Sequence, residues 1–451
     1  MIYLQNRLVP ILTACVLLMQ LVDPYRGWVI LLVCLGGAWL VSFLWARSLS
    51  RSLHLRREMR FGWAQVGDRL EERFTLENDG WAAALWVEIE DHSTLPGQSA
   101  AWATGVGSQN SSQWQTHGTC TRRGLFTIGP TSLKCGDPFG IYKVVVHDPA
   151  SHSIMVMPPV VPLPAIQIAP GGRSGQGRPR PNAPERTVSA GSVREYVPGD
   201  NLRWIHWRTT ARRNKPFVRI FDGTPAGDWH ILLDLDRTVQ AGEGWDSTIE
   251  HGIILAASLA DRGLRLKRSV GLITNSAIPS WLPSAEGEGQ RWEILRTLAL
   301  AEPGERPLAE MLRKFNGLSA PAHTAQIQHA APLHIPSQSS LVLITPSTQP
   351  DWIATLLPLL WRGVTPTVLL LDATTFATHQ GEGENLPPSN LQPLLAHLSR
   401  MGIAHYIISR DLLDRPESRP GVAGHWEWRI TPRGRAILAR PPGDLSWRSL
   451  Q

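Results

Sequence analysis

Apolar and polar residues are distributed differently in three parts of the chain. Residues 8–22 and 28–46 form two apolar runs around the turn sequence at 23–27, and the second run contains no charged residue. A run of about 20 apolar residues can cross a bilayer as a helix, so the second run is long enough and the first needs flanking residues. We therefore predict a transmembrane helical hairpin at residues 1–47. A cleaved signal peptide and two helices buried in a soluble core are the alternatives.

Charged residues that follow the second run predict the orientation of the hairpin. One acid, Glu58, lies among five arginines, which are Arg47, Arg51, Arg56, Arg57 and Arg60. Positive charge accumulates on the cytoplasmic side of membrane proteins. We therefore expect a two-pass protein of the cell membrane, with the lipid bilayer as one partner and with both ends and the soluble part in the cytoplasm.

The segment 48–168 has the pattern of short β-strands. Residues 85–90 alternate between apolar and polar, which is the period of a half-buried strand. Asn78-Asp79-Gly80 is a turn signal, and further strands are predicted at 124–128 and 141–146. We therefore predict a β-rich, sandwich-like domain in this segment.

From residue 229 onwards, strand patterns alternate with helix patterns. Such alternation is typical of a parallel, doubly wound α/β sheet. The predicted strands cover residues 229–235, 269–274, 341–345, 367–372 and 404–408. The predicted helices cover residues 246–262, 291–300, 307–315, 349–361 and 390–401. We therefore predict a carboxy-terminal α/β domain at 229–451 in a multidomain chain.

Composition narrows the class of protein. With 451 residues, of which 43% are hydrophobic, the chain can form two or three domains with packed cores, which excludes a fully disordered or fibrous protein. Four cysteines are too few for a disulfide scaffold. We expect Cys120 and Cys135 to be free thiols in a cytoplasmic domain, with a disulfide between them as the alternative. The 44 basic residues exceed the 38 acidic ones and are nearly all arginine, which binds carboxylates and phosphates.

The densest arginine cluster lies at 191–228, after a linker at 169–190 that is rich in proline, glycine and arginine. A turn before Asp200 and the helical spacing after it predict a short helix there. The stretch 201–221 carries six basic residues and no acid. It could bind nucleic acid, dock on an acidic partner, or pair with nearby acids while Trp204 and Trp207 are buried. No recognised nucleic-acid-binding module surrounds it, so nucleic acid is the least expected partner.

This segment contains the pattern Arg-x-Tyr-x-x-Gly-Asp-x-x-Arg-x-Ile-x-Trp-x-x-x-Ala-Arg, which resembles the signature of the domain of unknown function 58 family. The candidate binding positions are Arg194, Tyr196, Gly199, Asp200, Arg203, Trp207, Ala211 and Arg212. Residues 123–126 and 137–140 also resemble that family. The resemblance implies an α/β domain similar to von Willebrand factor A domains. It also implies partnership with MoxR-type AAA+ ATPases and other membrane proteins in assembly or chaperone-like work.

Asp234, Asp236 and Thr238 follow the first predicted α/β strand. Their spacing is similar to the Asp-x-Ser-x-Ser metal motif of von Willebrand A domains, and all three offer the oxygen ligands that Mg²⁺ prefers. The loops that would complete such a site are at 304–307 and 345–347, where Arg306 would repel a cation. We therefore expect a degenerate site with Mg²⁺ as the one cofactor to consider, or carboxylates that cap the next helix.

The octet 232–239 also resembles the nucleophile loop of haloacid dehalogenase-type phosphatases. In that case Asp234 would attack phosphorus and Asp236 would act as acid/base, with Mg²⁺ present. Thr274-Asn275 resembles the second motif of that superfamily, but the required lysine and distal acidic pair are absent. No P-loop, serine-nucleophile elbow or zinc motif occurs elsewhere. We therefore expect a non-enzymatic interaction module and keep the phosphatase as the alternative.

Overall fold

The computed structural model describes residues 1–59, 62–97, 101–163, 166–169, 190–197, 205–221, 228–315, 335–336, 339–377, 391–412, 427–430, 436–440 and 448–449. The chain folds into two compact units. The first consists of Met1–Val161, Leu295–Leu300 and Arg415–Gln451, and the second of Pro162–Ile294 and Ala301–Asp414. Each unit has its own hydrophobic core.

Strands predominate in the amino-terminal part of the chain, whereas strands and helices are mixed in the remainder. The amino-terminal part contains β1 (Ile2–Leu4), α1 (Leu8–Val22), α2 (Arg26–Ser52), β2 (Leu53–Met59), β3 (Trp63–Gln65), β4 (Arg69–Asn78), β5 (Ala84–Asp91), β6 (Trp102–Val106), β7 (Asn110–Thr119), β8 (Gly124–Ile128), β9 (Thr131–Gly136), β10 (Tyr142–Asp148) and β11 (His152–Met157). The remainder contains β12 (Ala190–Glu195), α3 (Trp207–Arg213), β13 (Phe217–Phe221), β14 (Trp229–Leu233), α4 (Thr248–Arg265), β15 (Val270–Thr274), β16 (Ser280–Ala285), α5 (Glu288–Ala299), α6 (Leu308–Phe315), β17 (Ser340–Thr345), α7 (Asp351–Trp361), β18 (Thr365–Leu371), α8 (Ala373–Ala377), α9 (Leu391–Arg400), β19 (Ala404–Ile408), β20 (Glu427–Ile430), β21 (Ala436–Arg440) and β22 (Arg448–Ser449).

Both apolar runs near the amino terminus are helical, as predicted. Among the described residues, α2 is the one helix long and apolar enough to cross a membrane, with a mean hydropathy of 2.3 over an 18-residue window. Helix α1 has 15 residues, which is short for a span. Beyond its apolar run, α2 continues as a helix in which Ser42, Ala46 and Leu49 are buried. A membrane anchor is thus supported by one helix, and the two-pass topology and cytoplasmic orientation stay predictions.

Two sheets of the first unit share one core. Their strand orders are β1-β10-β9-β5-β6 and β22-β2-β4-β7, and a further three-stranded sheet has the order β3-β11-β8. The core contains Leu76 of one sheet, Ile89 and Val144 of the other, and Ala46 and Leu49 of α2. Because its last turns supply core residues, α2 is an integral part of this unit.

Strand β5 departs from strict alternation. The sequence pattern places Leu85 with Val87 and Ile89 on one face, but Leu85 is exposed while the other two are buried. The pairing of β5 with β6 shifts register between Ala84 and Val87, so that Leu85 and Trp86 are both exposed. A β-bulge adds a residue to one strand and so interrupts the two-residue period.

The second unit is built on a six-stranded sheet of order β16-β15-β14-β17-β18-β19. Its strands are parallel except β16, which pairs antiparallel with β15 at one edge. Helices α6, α7 and α9 share a core with Leu232 and Leu343 of the sheet. Helix α4 packs on alternate residues, since Gly252 lies against Leu233 and Ile344. Helices on both faces explain why the central strands are buried and mainly apolar.

Five predicted strands and five predicted helices of this unit are present, with ends shifted by a few residues. Strand β16 and the five-residue helix α8 were not predicted. Pro283 lies within β16, and a proline is tolerated there because the strand is at an edge. Most of the predicted linker at 169–190 lies outside the described residues.

Candidate functional site

Polar residues follow the central strands of the second unit where these strands end. Asp234 comes directly after β14, and Thr345 is the last residue of β17. Strand β14 pairs with β15 on one side and with β17 on the other, so the chain order of the strands reverses here. Such a reversal opens a crevice at the carboxyl ends of parallel strands, where doubly wound sheets bind their ligands. This edge is therefore the first candidate for a functional site.

The carboxylate of Asp234 is enclosed by hydrogen-bond donors from three segments. Its Oδ1 accepts from the backbone N–H of Asp236 at 3.1 Å and from Nδ2 of Asn275 at 2.7 Å. Its Oδ2 accepts from the hydroxyl of Thr345 at 2.6 Å. Asn275 follows β15, so the ends of three adjacent strands meet at one carboxylate. Asp234 is 2% exposed, and both of its oxygens are used inside the protein.

Burial raises the pKa of Asp234 above its ordinary value, because a charged carboxylate is poorly solvated in this site. The hydrogen bonds from Thr345, Asn275 and Asp236 act in the opposite direction, and the charge of Asp236 adds to the rise. The protonated acid is therefore more favoured than in water.

Asp236 and Thr238 together form a helix cap. Oδ1 of Asp236 accepts from the backbone N–H of Thr238 at 3.0 Å and from its hydroxyl at 2.9 Å. These bonds stabilise the start of the short 3-10 helix Arg237–Val239. Capping is the role that we gave as the alternative to metal binding.

The loop at 304–307, which we expected near the strand ends, contacts them through Gly304 and Arg306. The backbone N–H of Gly304 donates to the carbonyl of Leu235 at 2.9 Å, and its carbonyl accepts from the N–H of Arg237 at 2.8 Å. A β-carbon at Gly304 would collide with the backbone after β15. Nδ2 of Asn275 donates to the carbonyl oxygen of Arg306 at 2.9 Å. Asn275 therefore connects this loop to the end of β14.

These residues fit a resident Mg²⁺ poorly. Magnesium needs near-octahedral oxygen ligands, whereas Asp234 is enclosed by donors and Asp236 is bonded to Thr238. Within the part of the chain that the structure describes, no group of three or more His, Cys, Asp or Glu side chains is arranged to hold a metal ion. Among the described residues, the cluster at the strand ends is a set of internal hydrogen bonds, and the metal site stays a prediction.

Gln240 belongs to this cluster and was not a candidate from the sequence. Its Nε2 donates to the carbonyl oxygen of Asp234 at 3.0 Å, and its Oε1 accepts from the hydroxyl of Thr248 at 2.7 Å. Gln240 lies two residues after Thr238 in a stretch without a motif, so no sequence signal marks it. It fixes the loop between β14 and the start of α4.

The signature segment forms a hairpin with a helix inside it. Strand β12 pairs antiparallel with β13, and the backbone N–H of Tyr196 extends this pairing. Helix α3 begins at Trp207, later than the start after Asp200 that we predicted, and His206 caps it by accepting from the backbone N–H of Thr209 at 3.2 Å. The signature residues outside the described part are Gly199, Asp200 and Arg203, together with the side chain of Arg194.

The exposed surface of α3 is aromatic and basic. Its exposed side chains are Trp207, Arg208, Ala211, Arg212 and Arg213. Trp207 is 71% exposed, so the alternative in which it is buried is wrong. None of the three arginines forms an ion pair with a carboxylate of the described residues. Internal pairing next to the helix is seen between Lys215 and Glu195, whose charged atoms are 3.0 Å apart.

Both cysteines of the β-rich part are free and buried, as predicted for the thiols. Burial raises the pKa of Cys120 and of Cys135 to about 12. The thiolate is the nucleophile and metal ligand. Neither cysteine is therefore a candidate for catalysis.

Two curated relatives match about a quarter of this chain. The uncharacterized protein YeaD of Bacillus subtilis is 29% identical over 112 residues, which cover 25% of this chain and 26% of that protein. The uncharacterized protein Rv1480 of Mycobacterium tuberculosis is 26% identical over 110 residues, which cover 24% of this chain and 35% of that protein. The chain thus spans between 26% and 35% of the length of these curated relatives.

Solved structures resemble the chain only distantly. Proximal thread matrix protein 1 from the mussel byssus has 15% identity and a TM-score of 0.23, covering 32% of this chain and 38% of that one. The CARDB domain of the PF1109 protein from Pyrococcus furiosus has 12% identity and a TM-score of 0.18, covering 24% and 90%. Scores this low carry no argument about the fold. Residues 192–328 match the family described as "Protein of unknown function DUF58", so this segment of the chain belongs to the family that its spaced motif predicted.

Proposed function

We propose that this protein is a membrane-anchored, non-enzymatic interaction module that binds a MoxR-type AAA+ ATPase from the cytoplasmic side in assembly or chaperone-like work. The observation that carries the proposal is the exposed surface of α3, which presents Trp207 together with three arginines. Tryptophan and arginine are the residues most enriched among those that dominate binding energy at interfaces. Docking would remove an exposed indole from water and give the arginines partners.

An acidic partner surface fits the charge of α3. Among the described residues, no carboxylate forms an ion pair with the arginines of α3, so these guanidinium groups are open to a partner's acids. A guanidinium group binds a carboxylate through two parallel hydrogen bonds, which adds orientation to attraction. The choice of a MoxR-type ATPase as the partner rests on the family resemblance of the signature.

A von Willebrand A-like second unit is part of this proposal. When the six strands of its large sheet are numbered in chain order, the strand order is 3-2-1-4-5-6, the order of doubly wound sheets that bind ligands at the reversal point. Helices contribute to the core on both faces of that sheet. In this proposal the hydrogen bonds around Asp234 hold the loops at the carboxyl edge without a metal ion.

The phosphatase alternative has less support. Nucleophilic attack on phosphorus needs an accessible, ionised carboxylate. Asp234 is 2% exposed, and both its oxygens accept hydrogen bonds. Thr274, in the second phosphatase-like motif, is buried, and its hydroxyl lies 3.0 Å from that of Ser276. A phosphate ester would have to displace these contacts to reach Asp234.

The docking surface can be tested with the full chain in lipid nanodiscs and the purified MoxR-type ATPase of the same genome. Biolayer interferometry would measure the dissociation constant. Trp207→Ala and Arg212→Glu should each weaken binding by about tenfold or more, as expected for central interface residues. Arg400→Glu is the matched control, because Arg400 is an exposed arginine on α9 of the same unit. It should leave binding unchanged.

Three outcomes would change the proposal. Wild-type binding by both the Trp207→Ala and Arg212→Glu variants would refute α3 as the docking surface. Lack of binding by the wild-type chain would refute the partnership with the ATPase. Mg²⁺-dependent hydrolysis of p-nitrophenyl phosphate that disappears in Asp234→Asn would replace the interaction module by the phosphatase.

A further inference from the structure

The last turns of α2 have two different faces. Ala46 and Leu49 are buried in the core of the first unit. Arg47, Ser48 and Arg51 lie on the opposite side and line an open cleft. Because residues four positions apart share one face of a helix, the two guanidinium groups project from the same side, one turn apart.

The turn after β4 forms the other wall of this cleft. Its backbone bonds to the helix, since the N–H of Asp79 donates to the carbonyl of Ser52 at 3.0 Å. The hydroxyl of Ser52 also donates to Oδ1 of Asn78 at 3.1 Å. A β-carbon at Gly80 would collide with the side chain of Ser52, so a glycine suits this close approach. The shape of the cleft is therefore set by direct contacts between turn and helix.

Positive charge dominates the cleft, which has a volume of ≈ 630 Å³. Its charged lining is Arg47 and Arg51 against the single acid Asp79, with His54 as a further polar group. Neither arginine forms an ion pair within the described ranges. Two guanidinium groups without ion-pair partners, at the edge of a cleft, are suited to an anion.

The cleft lies at the end of the apolar run of α2. Residues 27–46 carry no charge. Ser42 and Ala46 of this run are buried in the protein, and Nε1 of Trp39 donates to the hydroxyl of Tyr142 at 2.7 Å, so the last turns of the run lie against the first unit. Leu44 of this run lines the cleft together with Arg47, the first charged residue after it. Trp81 also lines the cleft, is 58% exposed, and packs edge-to-face on Trp45 with ring centroids 5.4 Å apart. Tryptophan is enriched at membrane–water interfaces.

We propose that this cleft binds the phosphate of an anionic lipid headgroup. Arg47 and Arg51 would hold the phosphate oxygens, the hydroxyl of Ser48 would add a donor, and Trp81 would lie along the lipid at the interface. Arginine suits this role because its planar fork matches phosphate geometry. The proposal rests on the membrane anchoring by α2 that is part of the proposed function. The place of the cleft directly after the apolar run of α2 favours a lipid over a soluble phosphate.

The test uses the full chain in nanodiscs of phosphatidylcholine and phosphatidylglycerol in equal amounts. Native mass spectrometry after release into mild detergent counts the phosphatidylglycerol molecules that each variant retains. Retention should fall about 25-fold in the Arg47→Gln/Arg51→Gln double variant, from roughly fivefold for each charge near an anionic surface. Arg56→Gln is the matched control, because Arg56 lies on β2, pairs with Glu58 at 3.4 Å and does not line the cleft.

Flotation with neutral phosphatidylcholine vesicles separates this proposal from the anchor itself. If the double variant floats like the wild type and retains as much phosphatidylglycerol, the cleft proposal is overturned while the anchor stands. If the wild type does not float, the anchor fails and the cleft proposal fails with it. Protection of the cleft by inorganic phosphate, with no phosphatidylglycerol retained by the wild type, would show a site for soluble phosphate and would also overturn the proposal.

Discussion

Removal of the Asp234 side chain would leave three buried donors without their shared acceptor. In Asp234→Ala these are the backbone N–H of Asp236, Nδ2 of Asn275 and the hydroxyl of Thr345. Each buried donor without a partner costs about 1–3 kcal/mol. The Thr345 hydroxyl can rotate, and Asn275 keeps its bond to the carbonyl of Arg306. Both effects reduce the loss. We therefore expect the free energy of local unfolding around Asp234 to fall by about 3 kcal/mol, near the lower end of the summed cost of the three donors.

Asp234→Asn is the matched variant, because it keeps the shape and one acceptor oxygen. If that oxygen accepts from Asp236 and Asn275, the amide NH₂ faces the hydroxyl of Thr345, which can accept a hydrogen bond. We expect a loss of about 1 kcal/mol. The contrast between the two variants thus isolates the acceptor role from the volume of the side chain.

Hydrogen exchange followed by mass spectrometry measures this effect locally in the full chain. Amides of β14 and β17 should exchange about 100-fold faster in Asp234→Ala and about fivefold faster in Asp234→Asn, at tenfold per 1.4 kcal/mol. Strands β4 and β7 of the first unit are internal controls and should not change. Equal protection in wild type and Asp234→Ala would refute the structural role of this carboxylate. Protection that Mg²⁺ increases in the wild type alone would indicate a metal site instead.

The raised pKa of Asp234 gives the same experiment a pH dependence. Between the ordinary value of 3.8 and the raised value, the folded state binds the proton more tightly than the unfolded state. Stability of the second unit should therefore fall as the pH rises through this interval. The amide in Asp234→Asn does not titrate, so the stability of this variant should not show this fall with rising pH. Identical pH profiles for the two proteins would contradict the raised pKa.

Arg57→Met should destabilise the first unit by about 3–5 kcal/mol, because Glu72, whose carboxylate lies 2.8 Å from the Arg57 guanidinium, keeps a buried charge. An unchanged urea midpoint in near-ultraviolet circular dichroism would contradict this. Burial raises the pKa of Cys120 and Cys135 to about 12, so near pH 8 only about one thiol in 10⁴ is ionised, and iodoacetamide should label neither in the folded protein. Labelling as fast as that of free cysteine would show that the thiols are accessible. Burial lowers the pKa of His230, so the unfolded state binds its proton more tightly, and the second unit should lose stability as the pH falls below 6.5. His230→Phe should remove that loss of stability. If the melting temperatures of the wild type and the variant change equally with pH, this reasoning is contradicted.

The central strands of the second unit could be predicted because every residue in them is buried. Trp229–Leu233 and Ser340–Thr345 are buried throughout, which requires apolar runs that a sequence displays directly. Strand β16 could not be predicted in the same way, because Pro283 and its serines resemble a loop and its pairing depends on the neighbouring β15. The exposure of Leu85 likewise depends on a bulge against β6.

Asp234 could be recognised as an acid at a strand end, but its partners could not be assigned from the sequence. Asn275 and Thr345 also lie at strand ends and were each noticed in separate motifs. Their meeting at one carboxylate depends on the strand order, because β15 and β17 are the neighbours of β14. Gln240 has no sequence signal. Helix α3 has seven residues, too few for periodicity to show that Trp207 is exposed.

Helix α2 runs without interruption from Arg26 to Ser52, so its apolar segment and its core-forming turns belong to one rod. Each residue inserted into such a rod rotates everything beyond it by about 100°. A single insertion in the apolar segment would turn Ala46 and Leu49 out of the core and bring Arg47 towards it. Seven inserted residues complete about two turns and would restore the phase. The length of this helix can therefore change only by whole turns. As a membrane anchor, α2 can be adapted to a thicker or thinner bilayer only in such steps.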